Sequence, residues 1–213
     1  MRATAPRSQF LSMLLMAAVC STSAQAPAPR SWNFDGDKPG AVAAGFRNDV
    51  GEWKVVAQGS APSRPHAFAQ LAKSERPIFN VALATETSYQ NVDITVQLMA
   101  SAGVIDQGGG VVWRAQDAQN YYIARFNPLE NNYRVYKVVG GQRTQLGTAE
   151  VQAREGWYTL RVVMKGEAIT CYLDGKPHLE VRDGTFPNPG RIGLWTKADA
   201  QTLFDNLAVR AAQ

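Results

Sequence analysis

An antiparallel, all-β, two-sheet sandwich of the jelly-roll kind is the fold class the sequence predicts. Three observations predict it. Short segments with apolar residues at every second position recur about every ten residues. Gly, Pro, Asn and Asp separate them, as at Asp174-Gly175, a strong hairpin signal. No stretch of ten or more residues carries a helical repeat of apolar positions.

The strands predicted in order are Trp32–Phe34, Trp53–Ala57, Phe68–Ala72, Phe79–Leu83, Val92–Ala100, Gly110–Arg114, Tyr121–Asn127, Tyr133–Val138, Thr144–Ala149, Trp157–Lys165, Ala168–Leu173, His178–Arg182, Arg191–Thr196 and Thr202–Arg210. Ser60–His66 reads as a loop. In Val92–Ala100, Val92, Ile94, Val96 and Leu98 form the core side, and Asp93, Thr95, Gln97 and Met99 the polar side. In Trp157–Lys165, Tyr158, Leu160, Val162 and Met164 point inward, with Arg161 and Lys165 outward.

The middle strands allow a pairing. Arg114 set opposite Tyr121, and Asn127 opposite Tyr133 across the turn Pro128–Asn132, puts Val111, Trp113, Tyr122, Ala124, Phe126, Arg134, Tyr136 and Val138 on the core face. Val112, Arg114, Tyr121, Ile123, Arg125, Asn127, Tyr133, Val135 and Lys137 then face solvent or a ligand. A slip of one residue exchanges these sets.

The N-terminus reads as a secretory leader. Arg2 and Arg7 precede the ten-residue apolar run Phe10–Val19, too short for a membrane-spanning helix of about 20 residues. Cleavage after Ala26 or after Ala24 fits the small residues there, so residues 1–26 are the leader, 27–31 a short flexible segment and 32–213 one domain. Val19 before Cys20 is a poor fit to a lipidation site. The expected location is the periplasm or the exterior, with no transmembrane segment.

Arg2 and Arg7 supply half of the net charge of +4, and no Lys/Arg block tracks a phosphate backbone, which argues against nucleic acid. Without Cys20, Cys171 stands alone in Ile169–Leu173 and reads as a buried apolar residue. Two histidines, His66 and His178, do not suggest a His-based metal site. No nucleophile elbow, P-loop or dinucleotide fingerprint is present.

The run GGGVVWRAQDAQNYYIARFNPLENNYRVYKVVGGQRTQL (Gly108–Leu146) resembles concanavalin A-like lectin/glucanase sandwiches. So do GWYTLRVVMKGEAITCYLDGK (Gly156–Lys176), GRIGLWTKADAQTLFDNLAV (Gly190–Val209) and WNFD (Trp32–Asp35), in the order the family shows them. The resemblance is closest to the branch shared by 3-keto-disaccharide hydrolase-type and laminin G-like domains. It implies a ligand on a concave sheet, with Arg114 matching a recurrent arginine there and Asp205 the aspartate of F-D-N. It also implies a structural Ca2+ near Asp35 and Asp205 as one option, with plain turn capping as the other.

The implied activities are glycan binding, glycoside hydrolysis or adhesion to a protein partner. A retaining glycosidase needs two carboxylates about 5 Å apart. The comparable strand, Asn91–Leu98, has Asp93 alone, and Gln97 stands where the family branch commonly has a glutamate. The expected function is therefore an exported module binding a poly- or oligosaccharide through Arg114, Tyr121, Arg125, Asn127, Tyr133, Asp93, Gln97 and Trp195. The alternative is a hydrolase of the 3-keto-disaccharide type acting through Asp93.

Overall fold

The computed structural model describes Met1 and residues 26–213. The leader reading of residues 2–25, Cys20 included, lies outside them. Fifteen strands follow in chain order: β1 (Arg30–Trp32), β2 (Phe46–Val50), β3 (Trp53–Ala57), β4 (His66–Gln70), β5 (Phe79–Ala84), β6 (Val92–Ala102), β7 (Gly109–Asp117), β8 (Asn120–Asn127), β9 (Asn132–Val139), β10 (Gln142–Glu150), β11 (Tyr158–Lys165), β12 (Ala168–Leu173), β13 (Lys176–Arg182), β14 (Arg191–Lys197) and β15 (Gln201–Arg210). They form two antiparallel sheets. The first has the order β13-β12-β11-β6-β15-β4-β3, with β1 also paired to β15, and the second β10-β9-β8-β7-β14-β5-β2. β2 is the strand the sequence does not announce: Phe46-Arg-Asn-Asp-Val50 lacks apolar alternation, and it is an edge strand with one neighbour.

The core lies between the sheets, where the alternating residues of β6 (Val92, Ile94, Val96, Leu98) and β11 (Leu160, Val162, Met164) meet Trp113, Tyr122 and Phe126 of the second sheet. Each such side chain contributes about 1.5–3 kcal/mol on full burial. Asp174 and Gly175 both take positive φ, as a two-residue hairpin turn requires. Cys171 is buried, and burial pushes its thiol up to about 12, so it is an inert packing residue.

Two local features alter the faces read from the sequence. β8 and β9 pair Tyr121 with Val138 and Asn127 with Asn132, one residue tighter than expected. Asn131 takes a φ of 50° and closes the turn a residue early. The faces of β9 are therefore exchanged. Tyr133 and Val135 point into the main core, while Tyr136 and Val138 lie on the outer face with Tyr121 and Ile123. In β7 the register breaks after Trp113, and Arg114 has a φ of 47°. This bulge turns Arg114 off the outer face and puts Ala115 there instead.

At one end of the sandwich, Asp183 accepts hydrogen bonds from Tyr122 Oη (2.7 Å), Lys137 Nζ (2.8 Å) and the Thr185 backbone (2.8 Å). Burial alone raises the Asp183 pKa, but these donors outweigh it and hold the carboxyl well below the usual range. A depressed carboxyl stabilises the fold above its unfolded pKa near 4, and that stabilisation is lost as pH falls towards the folded value. The melting temperature is expected to decline from pH 5 to pH 2, and Asp183→Asn to flatten that decline. Equal slopes for variant and parent would show that Asp183 is not the coupled group.

Candidate functional site: the curled face of the second sheet

The pairing of the second sheet sets up rows of side chains across its outer face. One row runs Arg134, Arg125, Gly110, Trp195, Val81, and the next runs Tyr136, Ile123, Val112, Gly193, Leu83. Each row contains one glycine, Gly110 on β7 and Gly193 on β14, which leaves a hollow. A Cβ on Gly110 would lie 1.7 Å from the Ala124 carbonyl oxygen, and one on Gly193 2.3 Å from that of Ala82, so neighbouring strands close tightly here. Trp195 and Tyr121 fill the hollow, with Trp195 Nε1 donating to Tyr121 Oη at 3.0 Å.

Arg143 shows how strongly the sheet curls. It lies on β10, yet its guanidinium stands 4.3 Å from the Tyr136 ring centroid, 5.3 Å from Phe79 and 5.9 Å from Trp195. Phe79 belongs to β5, several strands away. Strands about 4.8 Å apart in a flat sheet would put these residues roughly 24 Å apart. Curling brings them together, and the guanidinium covers the aromatic floor by cation–π contact. Burial pulls the Arg143 pKa down.

Beside this floor is a charged cluster. Asp106, in the loop between β6 and β7, accepts from Arg125 Nη2 (2.7 Å), Asn127 Nδ2 (2.8 Å) and the Gln107 backbone (3.0 Å), with Lys197 Nζ at 3.3 Å. Asp199 holds that loop by accepting from the backbone amides of Val104, Ile105 and Asp106. Burial lowers the Arg125 pKa, and the Asp106 carboxylate more than offsets it, so the guanidinium stays charged. Glu130 reaches Arg125 Nη1 at 3.4 Å and Arg134 Nη1 at 3.2 Å, and Asn132 donates to it at 3.0 Å. Burial works against its ionisation, but these donors prevail and keep it anionic. Among the described residues, two buried guanidinium nitrogens at this face, Arg125 Nε and Arg143 Nη1, have no hydrogen-bond partner.

The structure distributes the sequence-expected residues over three places. Tyr121, Arg125, Asn127 and Trp195 lie together on the curled face, but all four are buried. Arg114 and Tyr133 do not join them. Arg114 donates Nε to the Gln90 carbonyl (2.7 Å), Nη1 to Phe186 (2.9 Å) and Nη2 to Gly166 (2.6 Å), tying three loops at the end of the sandwich. Tyr133 is wholly buried in the core, which raises its pKa. Asp93 and Gln97 stand on the outer face of the first sheet, so a ligand on the curled face cannot reach them. Arg161 and Arg210 hold Asp93, and Gln97 accepts from Asn206 Nδ2 at 2.7 Å.

Asp35 and Asp205 are neighbours, as expected. Asp205 accepts from the Ser63 backbone (2.7 Å), Ser63 Oγ (2.8 Å) and the Asn206 backbone (2.7 Å), and Asp35 Oδ1 from the His66 backbone (3.0 Å). Burial raises the Asp205 pKa. Both Asp205 oxygens accept donor hydrogens, as in the capping of a turn. Among the described residues, no group of three or more His, Cys, Asp or Glu is placed to hold a metal ion.

Sequence reasoning missed Asp106, Glu130, Arg134, Tyr136, Arg143 and Lys197. Arg134 and Tyr136 were hidden by the one-residue register shift, and Arg143 by starting the strand at Thr144 rather than Gln142. Asp106 sits in a loop where periodicity carries no signal.

The family model of the 3-keto-alpha-glucoside-1,2-lyase-like domain matches residues 34–210. The chain belongs to this family. The lyase-like domain thus spans β2 to β15 and contains every residue of the curled face. Among solved structures, it is similar to the carbohydrate-binding module CBM66 of Bacillus subtilis, with a TM-score of 0.67 and 18% identity over 78% of this chain and 96% of that one. It is similar to a protein of unknown function with a galectin-like fold, also from Bacillus subtilis (TM-score 0.57, 12% identity, 78% and 89% covered). The Crh5 transglycosylase in its apo form matches with a TM-score of 0.62 and 13% identity, over 88% of this chain and 86% of that one. At these identities the likeness shows the fold. No curated protein matches the chain. Among the described residues, no helix is long and apolar enough to cross a membrane.

Proposed function

We propose that this chain is an exported carbohydrate-binding protein that holds a poly- or oligosaccharide on the curled face of its second sheet. One observation carries this reading: the half-buried Arg143 guanidinium lies over the Tyr136 and Phe79 rings, with the partly exposed Arg134 and Glu130 on the same face. A guanidinium edge open to water can donate to a ligand oxygen, and a hydrogen bond from a charged donor contributes about 1.5–3 kcal/mol. Sugar hydroxyls are such acceptors, and the exposed edges of Arg134, Glu130 and Lys197 lie around the same spot. Membership of a family named for a glucoside lyase, and a fold like that of a carbohydrate-binding module, support a glycan as the occupant. Export rests on the leader-like N-terminus.

Arg143→Ala tests the site. A glycan array followed by calorimetry is expected to find a glycan bound by the parent and bound at least tenfold more weakly by the variant. The melting temperatures should stay within a few degrees, because Arg143 packs on the face rather than in the core. Equal affinities would remove Arg143 from the site. A parent that binds no glycan but recovers a stable protein complex would replace this reading with adhesion.

A second reading is favoured by Glu130. Elimination across C1–C2 of a 3-keto-glucoside needs a base to take the C2 proton, which the neighbouring ketone acidifies, as the C1–oxygen bond breaks and the departing oxygen takes a proton from water or from the protonated base. Glu130 is held anionic, is partly exposed and lies beside Arg134, a cation suited to the developing enolate oxygen. Asp93 is a weaker candidate, since two guanidiniums engage both its oxygens. Turnover of a 3-keto-glucoside that Glu130→Gln abolishes would convert the binding reading into this one.

A further inference from the structure

The outer face of the first sheet carries a cleft unconnected with the curled face. Asp93 of β6, Arg161 of β11 and Arg210 of β15 meet there. Arg161 donates Nε and Nη2 to the two Asp93 oxygens at 2.7 and 3.0 Å, and Arg210 donates Nε and Nη2 to Asp93 Oδ2 at 3.1 and 2.7 Å. Hydrogen bonding to Arg161, aided by Arg210 and opposed by burial, holds the Asp93 carboxyl below its ordinary range. Both arginines use the same edge of the guanidinium, so among the described residues the Nη1 of each has no hydrogen-bond partner. The carboxylate fixes the two guanidinium planes in advance, which lowers the ordering cost of binding.

A cavity opens on each side of this clamp. One has a volume of about 390 Å³ and adds Arg30, Thr95 and Val209 to the three clamp residues. The other, of about 340 Å³, adds Lys165 and Tyr172. The Arg161 guanidinium lies 5.1 Å from the Tyr172 ring centroid. Both volumes fall in the range of small-molecule sites. Around the first cavity Arg30, Arg161 and Arg210 face Asp93 as the lining carboxylate, with Arg30 also engaged by the exposed Glu86.

We propose that this cleft is a second binding site and that its ligand is an acidic saccharide, a sugar bearing a carboxylate. The ligand carboxylate accepts from Arg161 Nη1 and Arg210 Nη1 and offsets the excess positive charge. The ligand occupies the first cavity, where the Thr95 hydroxyl suits a sugar's hydroxyls. A neutral sugar leaves the cationic excess unbalanced. This inference does not depend on the curled face holding a glycan.

The test is an NMR titration of the mature protein with glucuronate, with glucose as the neutral control and inorganic sulfate as the charge-only control. Glucuronate is expected to shift the amides of Ser31, Thr95 and Val209, to bind more weakly as salt rises, and to lose at least tenfold in affinity in Arg161→Gln/Arg210→Gln. Glucose should produce no shifts at these amides. Arg210→Gln alone guards against a folding defect, because the Arg210 side chain is 66% exposed. No glucuronate binding, binding unaffected in Arg210→Gln, or shifts confined to the curled face would overturn the proposal. Sulfate binding as tightly as glucuronate would overturn its saccharide part.

Discussion

Asp106→Asn is expected to destabilise the protein by about 3–5 kcal/mol, the usual cost of removing one partner from a buried ion pair. Asp106 and Arg125 side chains are each only 2% exposed. The carboxylate accepts from Arg125, Asn127 and the Gln107 backbone while facing Lys197. An amide in its place turns an N–H2 group towards donors that need an acceptor, and leaves Arg125 with Glu130 as its carboxylate neighbour at 3.4 Å. For a chain of this size the loss corresponds to a fall in melting temperature of about 10 °C or more. Replacing both partners, as Asp106→Leu/Arg125→Met, is expected to cost less than Asp106→Asn alone, because no buried charge is then left unpaired. Thermal denaturation of the three proteins checks this. A fall of less than about 3 °C in Asp106→Asn would mean that water reaches Arg125 and compensates the lost carboxylate.

Gly110→Ala is expected to be worse, at more than about 4 kcal/mol, beyond the range of ordinary substitutions. The added carbon would lie 1.7 Å from the Ala124 carbonyl oxygen, an atom of the β8 backbone that cannot rotate away. Relief requires β7 and β8 to separate between the pairs Gly109–Phe126 and Val111–Ala124. That would flatten the sheet and withdraw Arg143 from Phe79. The expected result is insoluble protein, or a folded fraction whose tryptophan emission is shifted to the red as Trp195 gains access to water. Gly140→Ala is the matched control: nothing lies within 4 Å of its Cβ position, although its φ of 54° adds a smaller backbone strain. Similar stabilities for the two variants would show that the close approach at Gly110 is not obligatory.

The outer face of the second sheet was only half legible from sequence. Tyr121, Arg125 and Asn127 were placed on it correctly because β8 alternates strictly between two environments. Arg134 and Tyr136 were placed on the wrong side because the turn after Asn127 is one residue shorter than the polar stretch suggests. Asn131 has the φ of 50° that permits the shorter turn. Arg114 shares the alternation of its strand in sequence and departs from it in space, since a bulge after Trp113 carries no composition signal. Its three carbonyl contacts, with Gln90, Gly166 and Phe186, join loops far apart in the chain.

By itself, the sequence determined the sandwich, the succession of its strands apart from β2, and the inward faces of β6 and β11. Period-2 apolar alternation and residues such as Asp174 and Gly175 act within a few residues, so a local reading recovers them. The tertiary structure alone decided which sheet each strand joins. It put Asp93 on one exterior and Arg125 on the other, although both stand on polar faces of similar strands. It also decided that Arg143 closes over Phe79 and that Asp106 meets Arg125. Those contacts depend on sheet curvature and loop path, which arise from the packing of the whole chain rather than from any local run of residues.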